Sequence, residues 1–111
     1  MSLDFDLDTK DIDENWINVL SVNITHNLGT MADKAGIYYA LWHPDEKGWK
    51  QAKDIIPILE KGLKKLKAKP EYYKKFNSPN GWGMYQHFVP FVKEVLKACK
   101  KYPSAKISTW T

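Results

Sequence analysis

Apolar positions along this chain alternate between two periods, and the switch between them locates the elements. From Trp16 to Thr25 the residues Ile17, Val19, Leu20, Val22 and Ile24 make a β-branched-rich run bounded by polar segments, which predicts a strand over about 16–25. With Val22 and Ile24 turned inward, Asn23 and Thr25 share the opposite face, because successive strand side chains alternate. The period then lengthens. Leu28, Met31, Ala32 and Ala35 recur at i, i+3, i+4 and i+7, the stripe of a helix packed on a core, with Thr25 or Asn23 available as N-cap and Gly36 as a stop.

The same period returns twice. A short apolar segment, 36–42, predicts one or two helical turns ended by His43-Pro44, and Gly48 permits a bend before a helix from about Lys50 to Lys67. That helix buries Ala52, Ile55, Ile56, Leu59, Leu63 and Leu66 and turns Lys61, Lys64, Lys65 and Lys69 outward. Pro70 suits the first position of another short turn. A last helix, about Met84 to Tyr102, carries Phe88, Phe91, Val92, Val95 and Cys99 on one stripe and stops at Pro103. Pro57 and Pro90 fall inside helical patterns, each removing one backbone bond at a cost of ~3 kcal/mol, either as a bend around a small core or as the wall of a cavity. Residues 106–111 alternate again and predict a closing strand. Leu3, Phe5 and Leu7 alternate with aspartates, which fits an edge strand or a tail equally.

These elements predict an α+β fold, mostly α: three to four helices packed on a small two-stranded sheet formed by strands at about 16–25 and 105–111. Residues 1–14 are expected as an acidic N-terminal arm and 15–111 as a single globular domain. The open edges of such a sheet invite pairing with a second copy, so a homodimer is an expected partner state.

Composition narrows the class. At 111 residues one core suffices, since folding buries roughly 65% of the chain's surface, and 43% apolar with 14% aromatic residues excludes low-complexity disorder. No apolar run approaches the ~20 residues that cross a bilayer, and the acidic start lacks a signal-peptide pattern, so no membrane partner and a cytoplasmic protein are expected. The lone Cys99 has no disulfide partner and reads as a buried thiol before a nucleophile.

Charge is distributed unevenly. Residues 1–14 hold six acids against Lys10, a local balance of −5, so the remainder carries +9 of the total +4. All 17 cations are lysine. Without arginine the bidentate fork that dominates base readout is missing, which argues against sequence-specific DNA recognition, and the lysine face of the middle helix reads as solvated surface.

Candidate chemistry concentrates in Asn23-Ile24-Thr25-His26-Asn27, where a strand end feeds a helix start. Asn, Thr and neutral His offer donors and acceptors that can hold an amide, a ribose or a base edge without charge. Alternatively Thr25 caps the helix and the asparagines tie down turns. The second candidate is the turn Asn77-Ser78-Pro79-Asn80-Gly81-Trp82-Gly83, in which a glycine-flanked Trp82 can swing over a ligand or plug a gap. His26, His43 and His87 lack metal-site spacing, Ser21 and Ser78 stand in no nucleophile elbow, and neither GxGxxG nor GxxxxGK[ST] occurs. No cofactor or metal is expected. Acid–base chemistry by His26 remains an alternative.

The motif Asn23-Ile24-Thr25-His26-Asn27, with Leu41-Trp42-x-Pro44, Asn80-Gly81-Trp82-Gly83-x-Tyr85 and Pro103-x-Ala105, resembles a family of short bacteriophage and prophage proteins, over roughly residues 22–108. That family has no established activity. The resemblance implies a host-cytosol setting and, by analogy, an inhibitor or ligand-sequestering binder that blunts host defence. The expected site joins Asn23, Thr25, His26, Asn27, Asn80, Trp82 and Tyr85 around a small polar or nucleotide-like ligand, with lysines offsetting phosphate charge. A host-protein inhibitor or adaptor using the aromatic surface and acidic arm is the alternative, and a small enzyme using His26 the third.

Overall fold

Leu3, Phe5 and Leu7 are fully enclosed, and that fact reorganises the sheet. In the computed structural model, which describes residues 2–111, the first strand β1 (Ser2–Lys10) lies between β2 (Trp16–Thr25) and β3 (Lys106–Trp110) in a three-stranded antiparallel sheet of order β2-β1-β3. The expected two-stranded pairing of 16–25 with 105–111 is therefore corrected, and residues 2–10 are neither tail nor edge but the central strand. The reason is the period of two. Aspartates at alternate positions load only one face, so Asp4, Asp6 and Asp8 point away from the core while their neighbours enter it. Across the strands those acids meet Asn23, Ser21 and Asn18 on one side and Trp110, Ser108 and Lys106 on the other. Only residues 11–15 remain as a connecting turn. Its Asp11 carboxylate accepts the N–H groups of Asp13 and Asn15, both at 2.9 Å.

Helices cover the other face: α1 (Gly29–Lys34), α2 (Tyr38–Trp42), α3 (Ala52–Ala68), α4 (Pro70–Lys74) and α5 (Tyr85–Lys101), with 3₁₀ turns at His26–Leu28 and Pro44–Lys47. Five helices replace the three to four expected, because the short segments Tyr38–Trp42 and Pro70–Lys74 each close as a helix of their own. α3 and α5 pack on each other, and α5 lies against β2. At Gly62, α3 meets the segment before α2 so closely that a Cβ would come within 2.1 Å of Ile37 Cγ2. Pro57 and Pro90 each occupy the sixth position of an unbroken helix and point to solvent.

The start of α3 is fixed to β3. Ala105 and Pro103 carbonyls accept from Ala52 and Lys53 at 2.8 Å, and Ile107 donates to Lys50 at 3.0 Å. Asp54 in the first turn accepts from Lys50 and Gln51, so N–H groups that a helix start leaves unpaired find partners. Among the described residues, no helix is long and apolar enough to cross a membrane.

Candidate functional site

The two polar segments singled out in the sequence meet. β2 ends at Thr25, whose Oγ accepts weakly from the Asn27 N–H at 3.4 Å, and the chain turns through His26–Leu28 beneath the Asn77–Gly83 loop. There the Asn27 side-chain amide donates to the Trp82 carbonyl at 2.9 Å. Gly83 makes this approach possible. Its φ is +115°, and a Cβ would sit 3.0 Å from the Asn27 Cβ. The loop holds itself by Asn80, whose Oδ1 accepts from the Ser78 hydroxyl at 2.6 Å and the Trp82 N–H at 2.9 Å.

Between corner and loop lies an open cavity of about 580 Å³ lined by Asn23, Thr25, His26, Asn27, Asn80, Trp82 and, beyond the expected set, Ser2, Ile24, Leu28, Gly81, Gly83 and His87. Trp82 is 71% exposed at its rim, so its ring plugs no gap in the core. Tyr85 is the exception among the expected site residues. It does not line this cavity, because its hydroxyl turns to the Leu66 carbonyl (2.7 Å) and its amide is held by Asn77 Oδ1 (2.7 Å). Its place at the start of α5, not the motif, decides where it points. His87 was weighed in the sequence only as a metal ligand. Its place in the first turn of the helix that follows the Trp82 loop was the available signal, whereas Ser2 gave none.

Several of the polar groups already serve the fold. Asn23 Nδ2 donates to Ser2 Oγ (3.0 Å) and to Asp4 Oδ1 across the sheet rather than within a turn, Thr25 caps the 3₁₀ turn, and Asn80 holds its own loop. The cavity wall thus combines the polar residues Asn27, Asn80, His26 and His87 with the apolar Leu28, Ile24 and Trp82. Among the described residues, no lysine, aspartate or glutamate lines it. The expected lysine contribution is not found in its lining, and the charge linked to it through the Asn23 bond is the Asp4 carboxylate.

His26 also lines a neighbouring cavity of about 530 Å³ with Asp33, Tyr38, Tyr39, Trp42 and His43. Its aromatic faces are largely occupied: Tyr38 stacks on Trp42 at 5.5 Å, and Lys47 Nζ lies 4.6 Å from the Tyr39 ring centre. Cys99 is fully enclosed and burial pushes its thiol up to about 12, so it offers no nucleophile. Among the described residues, no group of three His, Cys, Asp or Glu side chains converges as a metal would need.

Comparison of the chain with protein-family models, with curated proteins and with solved structures returned no match.

Proposed function

We propose that this chain is a binding protein whose cavity between the Asn23–Asn27 corner and the Asn80–Gly83 loop takes a small, planar, uncharged ligand with hydrogen-bonding edges, such as a nucleobase, a nucleoside or a cyclic amide. One observation carries the reading: two segments 55 residues apart are tied by the Asn27–Trp82 bond into one cavity, with an exposed tryptophan at its mouth. Amides and imidazoles supply donors and acceptors, and Trp82 supplies a stacking face. A phosphate is disfavoured. Among the described residues no cation lines the cavity to offset it, and the Asp4 carboxylate stands behind Asn23. In the phage setting that the sequence resemblance implies, such a cavity would sequester a host small molecule.

Thermal-shift and calorimetric screening of nucleobases, nucleosides and their phosphates tests this. A ligand at ~100 times its Kd adds about 2.7 kcal/mol of stability, which a melt resolves. Stabilisation by a nucleoside, weaker for its phosphate and lost in His26→Ala and Trp82→Ala, is the expected result; silence from every compound rejects it.

A second reading, an inhibitor or adaptor of a host protein, draws on the acidic hairpin, where Ile12 is 97% and Trp16 59% exposed. Capture of a host protein that depends on Ile12 and Trp16 but not on His26 distinguishes it from ligand binding.

A further inference from the structure

The two edges of the sheet are unlike. β3 is five residues long, carries Lys106, and is covered by the preceding segment through the Gln51–Lys106 bridge and the Ile107–Lys50 bond. β2 is ten residues long and, among the described residues, nothing pairs with its outer side. Natural edge strands are blunted by lysine, proline, charge or brevity. β2, Trp-Ile-Asn-Val-Leu-Ser-Val-Asn-Ile-Thr, has no charged residue, proline or glycine, although the chain holds 17 lysines and 13 acids. One irregularity remains, opposite Leu7 and Asp8, where Val19 has no partner on β1. It leaves Leu20 to Ile24 as a regular stretch. Trp16 and Ile17, on the same strand, are 59% and 43% exposed.

We infer that the free edge of β2 is the interface with a second copy of this chain, joined antiparallel about a two-fold axis into one six-stranded sheet. The strand is complementary to itself. With Val22 at the axis, Leu20, Val22 and Ile24 of each copy meet the same apolar set on the helix-covered face. Ser21 and Asn23 meet Asn23 and Ser21 on the other face, hydroxyl against amide. No like charges oppose each other, because the strand has none. On the helix side Glu94 of each copy lines the groove beside Val22, Asn23 and Ile24, and on the open sheet face the aspartate rows of the two β1 strands stand three strand spacings or ~14 Å apart. That exceeds the ~8 Å screening length at physiological salt, so their repulsion is muted there and returns only as salt is removed. The opposite arrangement, the acidic sheet face of one copy on the lysine-bearing helices of the next, would be head-to-tail, open-ended and weakened by salt. The dimer stands independently of the proposed ligand.

Light scattering over a concentration series, at low and at physiological salt, with amide exchange on the same samples, tests the inference on the full chain. The expected result is a mass rising from one chain to two and no further, favoured by salt. Alternate amides of 19–25, those turned away from β1, slow on the order of tenfold or more as the dimer forms. A monomer at every concentration, a mass climbing past two chains, a dimer dispersed by salt, or slowed amides that lie elsewhere would each overturn it.

Discussion

The side chain of Asn27 is hydrogen-bonded to the backbone carbonyl of Trp82, and both residues line the cavity. Asn27→Ala is expected to cost about 0.5–1.5 kcal/mol, the usual net worth of one such bond, and to release the loop. Tyr85→Phe, which removes the bond to Leu66, is expected to cost a similar ~1 kcal/mol while leaving the loop and any ligand affinity unchanged. Chemical denaturation measures the first pair of effects. Amide exchange in residues 80–83 separates them, since only the Asn27 variant releases the loop.

Gly83 is the other half of the same contact. Gly83→Ala places a Cβ at φ +115° and 3.0 Å from the Asn27 Cβ, so it combines backbone strain with contact, and a loss of about 1–3 kcal/mol is expected. Adding Asn27→Gly removes the contact and leaves the strain. The double variant is therefore expected to recover part of the contact cost but none of the φ cost, and a double-mutant cycle on denaturation midpoints reads the difference.

The sequence made the helices legible because their apolar stripes repeat at helical spacing over 17 residues in α3 and again in α5. It made β2 legible for the corresponding reason at period two. β1 was not placed, because six acids in fourteen residues read as a solvated arm. The alternation that buries Leu3, Phe5 and Leu7 says which face is apolar but not how many neighbours the strand has. The meeting of the Asn27 corner with the Trp82 loop was expected from chemistry alone; periodicity carries no information about contacts across 55 residues. Tyr85 was grouped with the site by sequence proximity to Trp82, and the turn of α5 sends its hydroxyl to Leu66 instead.

Gly62 is a case where helix propensity gives the wrong sign. In an exposed helix Gly→Ala gains about 1 kcal/mol, yet here the added methyl would overlap Ile37 Cγ2 at 2.1 Å and press on the Ala35 carbonyl at 3.2 Å. Gly62→Ala is expected to destabilise by about 1–3 kcal/mol, the usual range for overpacking. Ile37→Ala creates space at the same point. The two substitutions together are expected to cost less than their sum, which thermal or urea unfolding of the four variants checks.

Asp6 stands in the middle of the β1 acid row, between Asp4 and Asp8, with its Oδ1 enclosed and without a hydrogen-bond partner. Ser21 and Ser108 flank it across the strands. Asp6→Thr replaces a repelled carboxylate by a β-branched hydroxyl that suits a central strand, and a gain of about 0.5–1 kcal/mol is expected. The gain is expected to shrink as salt rises, since screening relieves the wild-type row more than the variant. Unfolding midpoints at low and high salt measure both.

Cys99 and Tyr73 link stability to alkaline pH. Burial raises the Cys99 thiol from its ordinary 9.0 to about 12, and burial, then the neighbouring Tyr72, raises the Tyr73 hydroxyl above 10.0. Both folded values lie above the unfolded ones. The protonated forms are therefore fully bound in either state below about pH 9, and above it the unfolded chain loses a proton that the folded chain keeps. Stability contributed by the neutral thiol is thus lost as pH rises from about 9 towards 12, at roughly 1.4 kcal/mol per pH unit for one proton, with Tyr73 steepening the fall beyond its ordinary value. Cys99→Ala, although less stable at neutral pH through its cavity, is expected to show a shallower alkaline decline. Urea unfolding from neutral to about pH 10 compares the slopes; equal slopes would remove Cys99 from the linkage. The same burial predicts that the native thiol reacts with a thiol reagent only as fast as the chain opens, so labelling rate should follow the unfolding equilibrium.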